Sequence, residues 1–595
     1  MNNRLQVRMY PGLLMGLMVP LFLARSLAAQ TVADEAAQQA EQRKPNDKLH
    51  VPMVKSATAK SVTEDGRKLV ELQFEVNRPA DGAPVIQRLV DVTPEQMKAW
   101  QQKYLDEISG TEQVVEDQER QLLIKDKGAA PAEPQTIAAD AETRLMKFQG
   151  LPKLTAAFEQ QLIDRCLMIR HIEVVNDERA EGMGPWSFGY LMQELANESA
   201  TGIKPVDLVE DWLGHWQKNV LVNGFVVPQR KRGIEQLILN DWPRTADHEL
   251  DLSKSPFRLL AIILRLDLRS NKVLGSERID DGGAGEARLV YCAVDKAGQP
   301  LAFTVIFEYG INRRNFLEVW EWAWHWYDLR YKDQESEEYR VALEALTHQF
   351  TDRDSNVEAP PNRSSLNALR TNEIDLVSKI KPRPPAESVW EVREFRLDDG
   401  NEGHLRQVTV KQTPDLNFNG KKVLADFVNS NTPSILALRH STPTDFPRGS
   451  DFLGGSAITP PNVIWQAGAI ARKDARHLFS LGTCSGCHAR EAFPEVGTPA
   501  APFDNVQGAT RQPPHFTHVR PRKKNDVAEL SAFLTGRGPD QRPFKLVDPA
   551  GQKAADGTPL ERPFGDLPVR AHDIYGLARF GAFYEIFREQ RSQVH

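Results

Sequence analysis

The chain has 595 residues, of which 41% are hydrophobic and 26% charged, and its formal net charge is −7 at pH 7. A single core seldom grows beyond about 250–300 residues, so this length predicts several domains. The mild acidic balance argues against a dedicated nucleic-acid binder, which carries a clear basic excess.

Arg4 and Arg8 precede an apolar stretch from Gly12 to Ala24, and small residues follow at Ser26, Ala28 and Ala29. That order is the pattern of a secretory signal peptide over residues 1–28, too short for an ordinary membrane span. Cleavage after Ala28 is expected, which implies a periplasmic or secreted protein. Arg25 stands close to that point, so an uncleaved anchor is the alternative and the one membrane attachment foreseen.

Residues 29–60 are polar and rich in Gln and Ala, and read as a mobile linker. Residues 61–181 read as a region of strands followed by helices. Leu69, Val70, Leu72, Phe74 and Val76 show strand-like alternation ahead of a turn at Ala80-Asp81-Gly82. Thr93-Pro94-Glu95 opens a helix, residues 127–138 read as a linker, and helix resumes over about 139–175. Residues 182–435 read as one α+β domain. Helices are expected at Trp186–Asn197 and Val206–Gln217, and a buried strand at Phe257–Leu268. Ala287–Asp295 and Leu301–Tyr309 form one hairpin, and Trp390–Leu397 and His404–Gln412 another. Asn315–Phe350 reads as one long helix or two shorter ones. Its Trp320, Trp322, Trp324, Trp326 and Tyr327 cannot share one face, which favours a core helix packed on both sides over an aromatic binding wall. Segments rich in Pro, Gly, Ser and Thr at 436–450 and 458–462 open a mostly α-helical C-terminal module, residues 436–595, ending in an amphipathic helix at Asp573–Gln590.

That module contains Thr483-Cys484-Ser485-Gly486-Cys487-His488, the C-x-x-C-H spacing of a c-type haem attachment site. Two thiols one helical turn apart can add to the two vinyl groups of one porphyrin. The next histidine, His488, then lies under the iron as the proximal ligand. Helix is expected at Asp474–Leu481, with Phe479 ahead of the first thiol. The chain has only four cysteines, and haem thioethers form outside the bacterial cytoplasm, so the export signal and the motif support each other. The other two, Cys166 and Cys292, read equally as a disulfide or as two buried thiols. Two rival readings of the motif remain: a zinc site completed by histidines, and a redox-active disulfide.

No methionine follows Met192, so a methionine sixth ligand from within the module is excluded. The histidines that follow the motif are His515, His518, His572 and His595. His518, ahead of a helical segment at Asp526–Leu534, is the candidate distal iron ligand; a loop histidine bonded to backbone is the alternative. Arg520, Arg522, Lys523 and Lys524 read as a solvated face, or as partners for haem propionates. The acidic, Gly-rich run from Asp280 to Glu286 lacks EF-hand spacing and reads as a turn.

At Cys484, Cys487 and His488 the module resembles a c-type cytochrome domain. The wider chain resembles a family of exported proteins of myxobacteria and other proteobacteria. That pattern covers Gly184-Pro185-Trp186-Ser187-Phe188-Gly189, Asp241-Trp242-Pro243-Arg244 and Leu369-Arg370-Thr371-Asn372-Glu373. It continues through Trp390-Glu391-Val392-Arg393-Glu394-Phe395, Phe516-Thr517-His518-Val519-Arg520 and Leu530-Ser531-Ala532-Phe533-Leu534. The second resemblance implies architecture and no activity. Together these features lead us to expect an exported haem-c protein engaged in electron transfer or haem-based redox chemistry with a redox partner protein. A secreted binding or structural protein with a Cys/His zinc site is the alternative.

Overall fold

The computed structural model describes residues 5–9, 54–64, 67–76, 154–269, 283–313, 316–374, 390–398, 402–437, 440–459, 464–488, 491, 528, 530–537, 543–550, 561–563 and 565–580. The chain divides into two compact units, one formed chiefly by Met1–Ala132 and the other by Leu154–Ala578. The first unit holds an antiparallel sheet of β1 (Leu5–Met9), β2 (Val54–Glu64) and β3 (Arg67–Val76), in the order β1-β3-β2. Glu64 stands opposite Arg67, so Asp65-Gly66, a strong two-residue hairpin signal, separates the two strands in sequence. The turn expected at Ala80-Asp81-Gly82 lies outside the described residues.

The second unit is a mixed α+β fold. It begins with α1 (Ala156–Leu162), which passes through a π-helical turn into the short β4 (Met168–Ile169). The helix expected over 139–175 stops early because Met168 and Ile169 pair with Ile263 and Ile262 across the sheet. Then follow α2 (Phe188–Ala196), α3 (Pro205–Gly214) and a small hairpin, β5 (Val220–Val222) and β6 (Phe225–Val227). The long strands are β7 (Phe257–Arg265), β8 (Glu286–Val294) and β9 (Pro300–Gly310). Two helices occupy the stretch expected to hold one or two: α4 (Phe316–Asp328) and α5 (Glu337–Thr351), the latter capped by Ser336. β10 (Leu366–Ile374), β11 (Trp390–Leu397) and β12 (Leu405–Val408) complete the large sheet in the order β12-β11-β10-β9-β8-β7-β4, antiparallel throughout.

Beyond α6 (Lys422–Ser430) and α7 (Thr432–Leu436), the chain returns to this sheet. β13 (Ala457–Thr459) pairs with the Trp390 end of β11, so a strand from beyond residue 436 belongs to the same sheet as residues 257–408. The remaining elements are α8 (Lys473–Leu481), α9 (Cys484–Cys487), α10 (Ala532–Thr535), the β14 (Lys545–Val547)–β15 (Glu561–Pro563) hairpin and α11 (Asp566–Phe580). The described part of 436–595 thus mixes short strands with helices.

Alternation makes the sheet two-sided. On β9, Phe303, Val305, Phe307 and Tyr309 are fully buried on one face. There they meet an aromatic core supplied by α2, α3 and α5. Phe188 stacks on Phe257 at 4.4 Å and contacts Trp212, Trp242, Tyr291 and Phe307, while Tyr309 meets Phe350. The tryptophan-rich α4 packs on two sides: Trp322 and Trp326 pair at 5.7 Å toward Phe350, and Trp320 Nε1 donates to the Ala578 carbonyl. Cys166 and Cys292 are separate buried thiols, Cys166 beside the Tyr327 carbonyl and Cys292 beside those of Ala293 and Leu301. Phe188→Ala should therefore cost about 3–5 kcal/mol in urea unfolding, since one ring holds five aromatic contacts; a loss under about 1 kcal/mol would misplace the core.

Candidate functional site

The opposite face of the sheet is built differently. Ala302, Thr304, Ile306 and Glu308 alternate along β9 with the aromatic set, and with Val290, Arg288, Arg370 and Val392 of neighbouring strands they line a cavity. Its enclosed volume is about 150 Å³, and Cys484, Cys487 and His488 line it from the other side.

Local chemistry explains how the cysteine turn is made. The last turn of α8 closes at Gly482, whose N–H donates to the Leu478 carbonyl. Thr483 then caps a single turn, its hydroxyl accepting from the Gly486 N–H at 2.9 Å. A side chain at Gly486 would place its Cβ 2.0 Å from the Ser480 carbonyl oxygen, so only glycine fits between Ser485 and Cys487. Cys484 N–H donates to Thr413 Oγ1 at 2.9 Å, and Trp465 Nε1 donates to Ser485 Oγ at 2.9 Å. The turn is thereby fixed from outside as well as from within.

The two thiols have different neighbours. Cys484 packs with Trp390, Val392, Val410 and Ala457; Cys487 packs with Leu481, Phe533, Phe544 and Leu546. Burial raises the pKa of both thiols, so both are neutral near pH 7. Thiol–disulfide exchange needs a thiolate, which weakens the redox-disulfide reading. His488 stacks on Trp390 with ring centroids 4.3 Å apart and planes at 20°. Trp390 is fully buried and its Nε1 donates to Asn372 Oδ1, so the ring beneath His488 is itself held.

Glu491 closes the loop. Its carboxylate accepts from Arg476 Nη1 at 3.1 Å and Nη2 at 2.5 Å and from Ser480 Oγ at 3.0 Å, and His477 Nδ1 lies 2.5 Å away. Arg476 also bonds Asp548 at 2.6 Å. Burial alone would raise the Glu491 pKa; the bonds from His477 and Arg476 outweigh it and hold the carboxyl below its ordinary value. His477, Glu491 and Asp548 are the one group of three metal-ligand types that converges among the described residues, and it contains no thiol. Four zinc donors stand about 3.8 Å from each other, given Zn–S bonds of about 2.3 Å. Cys484, Cys487 and His488 do not converge in that way among the described residues.

A ladder of buried charge flanks the cavity. Glu308 sits between Arg288 at 3.1 Å and Arg370 at 3.3 Å; Arg370 also reaches Glu394 at 3.1 Å, and Arg288 reaches Glu286 at 2.6 Å. From α11, Arg570 pairs with Asp566 and faces Asp267, which Arg265 holds at 2.9 Å. Glu286, the last acid of the Gly-rich run, is thus occupied by an arginine.

The sequence-derived candidates fall into three groups. Cys484, Cys487 and His488 come together on the cavity. His572 lies on α11 with Nε2 3.8 Å from Glu159, and it does not line the cavity. His518, His515, His595 and the basic run Arg520, Arg522, Lys523 and Lys524 lie outside the described residues. Met168 does line the cavity, but it stands on β4, five strands from the β11 that carries Trp390. At ordinary strand spacing that is about 24 Å, too far to face His488. Sequence reading missed Trp390, Glu491 and the charge ladder as parts of the site. Their signal was charged residues inside otherwise apolar strands, at Arg288, Glu308, Arg370 and Glu394. Comparison with protein-family models, curated proteins and solved structures finds no match.

Glu491→Ala should destabilise the protein by about 3–5 kcal/mol, because it leaves Arg476 buried with one partner fewer. Its depressed pKa gives stability that is present above the unfolded carboxyl value of about 4.3 and lost as pH falls through the folded value. Urea unfolding of Glu491→Gln should accordingly show a shallower acid limb than the wild type.

Proposed function

We propose that this is an exported haem-c protein that handles electrons, with haem joined to Cys484 and Cys487 and with His488 as the proximal iron ligand. The observation that carries this reading is that both thiols and His488 line one cavity. Their protonation and spacing also favour it. Neutral thiols are the form that adds S–H across a vinyl double bond, and the C-x-x-C-H spacing suits one macrocycle held at both thiols.

Haem supplies a one-electron couple at iron when bound. The chain's own residues do the rest. Thr483, Gly486 and Thr413 fix the cysteine turn, Trp390 orients the His488 ring, and Glu491 closes the loop behind it. Val392, Ala302 and Ile306 give the cavity an apolar wall that excludes water. His518 is the proposed distal ligand, with two-histidine ligation favouring a lower potential than His/Met. The zinc alternative has less support, because the converging ligand group contains neither thiol and is already bonded to Arg476.

Protein purified from a host with cytochrome c maturation should carry one haem mass that survives denaturation and give a pyridine haemochrome spectrum. The Cys484→Ser, Cys487→Ser double variant should lose both. Colourless wild-type protein, or one zinc per chain without iron, would remove this reading. His518→Ala should convert a six-coordinate spectrum to a five-coordinate or weaker-ligand one, and an unchanged spectrum rejects His518.

A further inference from the structure

Directly behind the Trp390–His488 stack, on the other face of the sheet, lies a second cluster of buried charge. Glu391 follows Trp390 on β11, and alternation sends its side chain to the aromatic side. Glu373 of β10 stands opposite it in register. Both carboxylates are essentially inaccessible to solvent. Among the described residues, three side chains meet them. Arg230, from the segment after β6, lies 2.9 Å from Glu391 Oε2 and 3.1 Å from Glu373 Oε1. Arg393 reaches the same Glu391 Oε2 at 3.1 Å while bonding the carbonyls of Pro228 and His215. Ser456, ahead of β13, hydrogen-bonds Glu391.

The two acids are therefore unequal. Glu391 is held by two guanidinium groups, both at one oxygen, while Glu373 shares a single arginine. Among the described residues, neither oxygen of Glu373 nor Oε1 of Glu391 receives an aligned hydrogen bond, although Arg230 stands beside Glu373 Oε1 as an ion pair. A buried acceptor left without a donor is costly, and one proton placed on Glu373 and donated to Glu391 relieves that cost. With both acids ionised, two negative charges face two positive ones. With one proton bound, the cluster carries a net positive charge, in a low-dielectric site one sheet-thickness from His488.

We infer that Glu373 and Glu391 form a proton-binding site coupled to the haem, so that this protein takes up a proton with the electron it accepts. The inference rests on the haem reading above. The balance is one electron from an external one-electron donor to the iron and one proton from solvent to the Glu373–Glu391 pair. Arg230, whose side chain is 15% exposed, connects the pair to the surface. Added negative charge at the haem strengthens proton binding at the pair, so the potential falls as pH rises. Burial pushes Glu373 up to about 7, which puts this window near neutrality.

Spectroelectrochemical titration of the haem-loaded full chain from about pH 5.5 to about pH 8.5 tests this. The midpoint should fall through that range with a slope approaching about 59 mV per pH unit, the value for one proton per electron. Glu373→Gln, which keeps the shape and removes the titration, should keep its haem spectrum and lose the slope. Should that variant fail to fold, reduced-minus-oxidised infrared spectra of the wild type decide instead: a protonated carboxylic acid band should appear on reduction and shift in heavy water. A haem-bearing protein with a flat potential, a Gln variant that keeps the slope, or no such infrared band overturns this inference alone. A chain that carries no haem overturns both readings.

Discussion

A strand turns successive side chains to opposite faces, and in β8 to β11 that rule separates two chemistries that could not share a core. Phe303, Phe307, Tyr291 and Phe395 go to one side, where they meet Trp212 of α3, Trp216 just beyond it and the ring of Phe188. Arg288, Glu308, Arg370 and Glu394 go to the other and meet each other. The aromatic side supplies most of the apolar burial that stabilises the unit. The charged side could not form without it, because only a sheet already fixed in register can hold arginines within hydrogen-bonding distance of acids across four strands.

Such a face does not exist for stability. Buried ion pairs recover little more than the desolvation they cost, and removing one partner costs far more than the pair contributes. Their effect is to fix geometry. Glu308 is shared by two arginines and Arg370 by two glutamates, so no member can move without leaving a buried charge unmatched. The Glu491 clamp works in the same way on the other wall, binding Arg476, His477 and Ser480 of α8 at once. The cysteine turn is suspended between these two rigid systems, with Thr413 and Trp390 as direct contacts. Its placement is thus a property of residues more than a hundred positions apart, not of the five-residue motif.

This also explains what was legible in the sequence. The long strands and the helices of the second unit follow from local periodicity: β7 and β11 start where the apolar patterns do, and Ser187 and Ser336 cap α2 and α5 as their residue types predict. The residues of the cysteine motif were legible because their spacing is itself the chemistry. Long-range pairing was not. β13 joins β11 through three residues, and nothing in Ala457-Ile458-Thr459 announces its partner. Met168 and Ile169 read as helix because their strand partner is nearly a hundred residues away. Trp390 looked like an ordinary strand residue, since stacking on His488 appears only when β11 and α9 are brought together. The charged strand residues were visible as exceptions to an apolar pattern, but one sequence does not say whether such an exception faces solvent, an ion pair or a ligand.

Two buried charge systems, one on each face, approach the same ring stack from opposite sides. Arg370 and Glu394 lie on the cavity face of β10 and β11, and Glu373, Glu391 and Arg393 on the back of the same strands. In a medium of low polarity, a unit of charge added at His488 acts on both systems with little screening. The front ladder is braced by at least one arginine at hydrogen-bonding distance of each acid, although burial still raises the Glu308 carboxyl above its ordinary value. The back pair is held less firmly: Glu373 has Arg230 beside one oxygen and an aligned hydrogen bond at neither. A change of charge at the candidate site is therefore felt on both faces of the sheet, with Trp390 on β11 standing between the cavity and the Glu373–Glu391 pair.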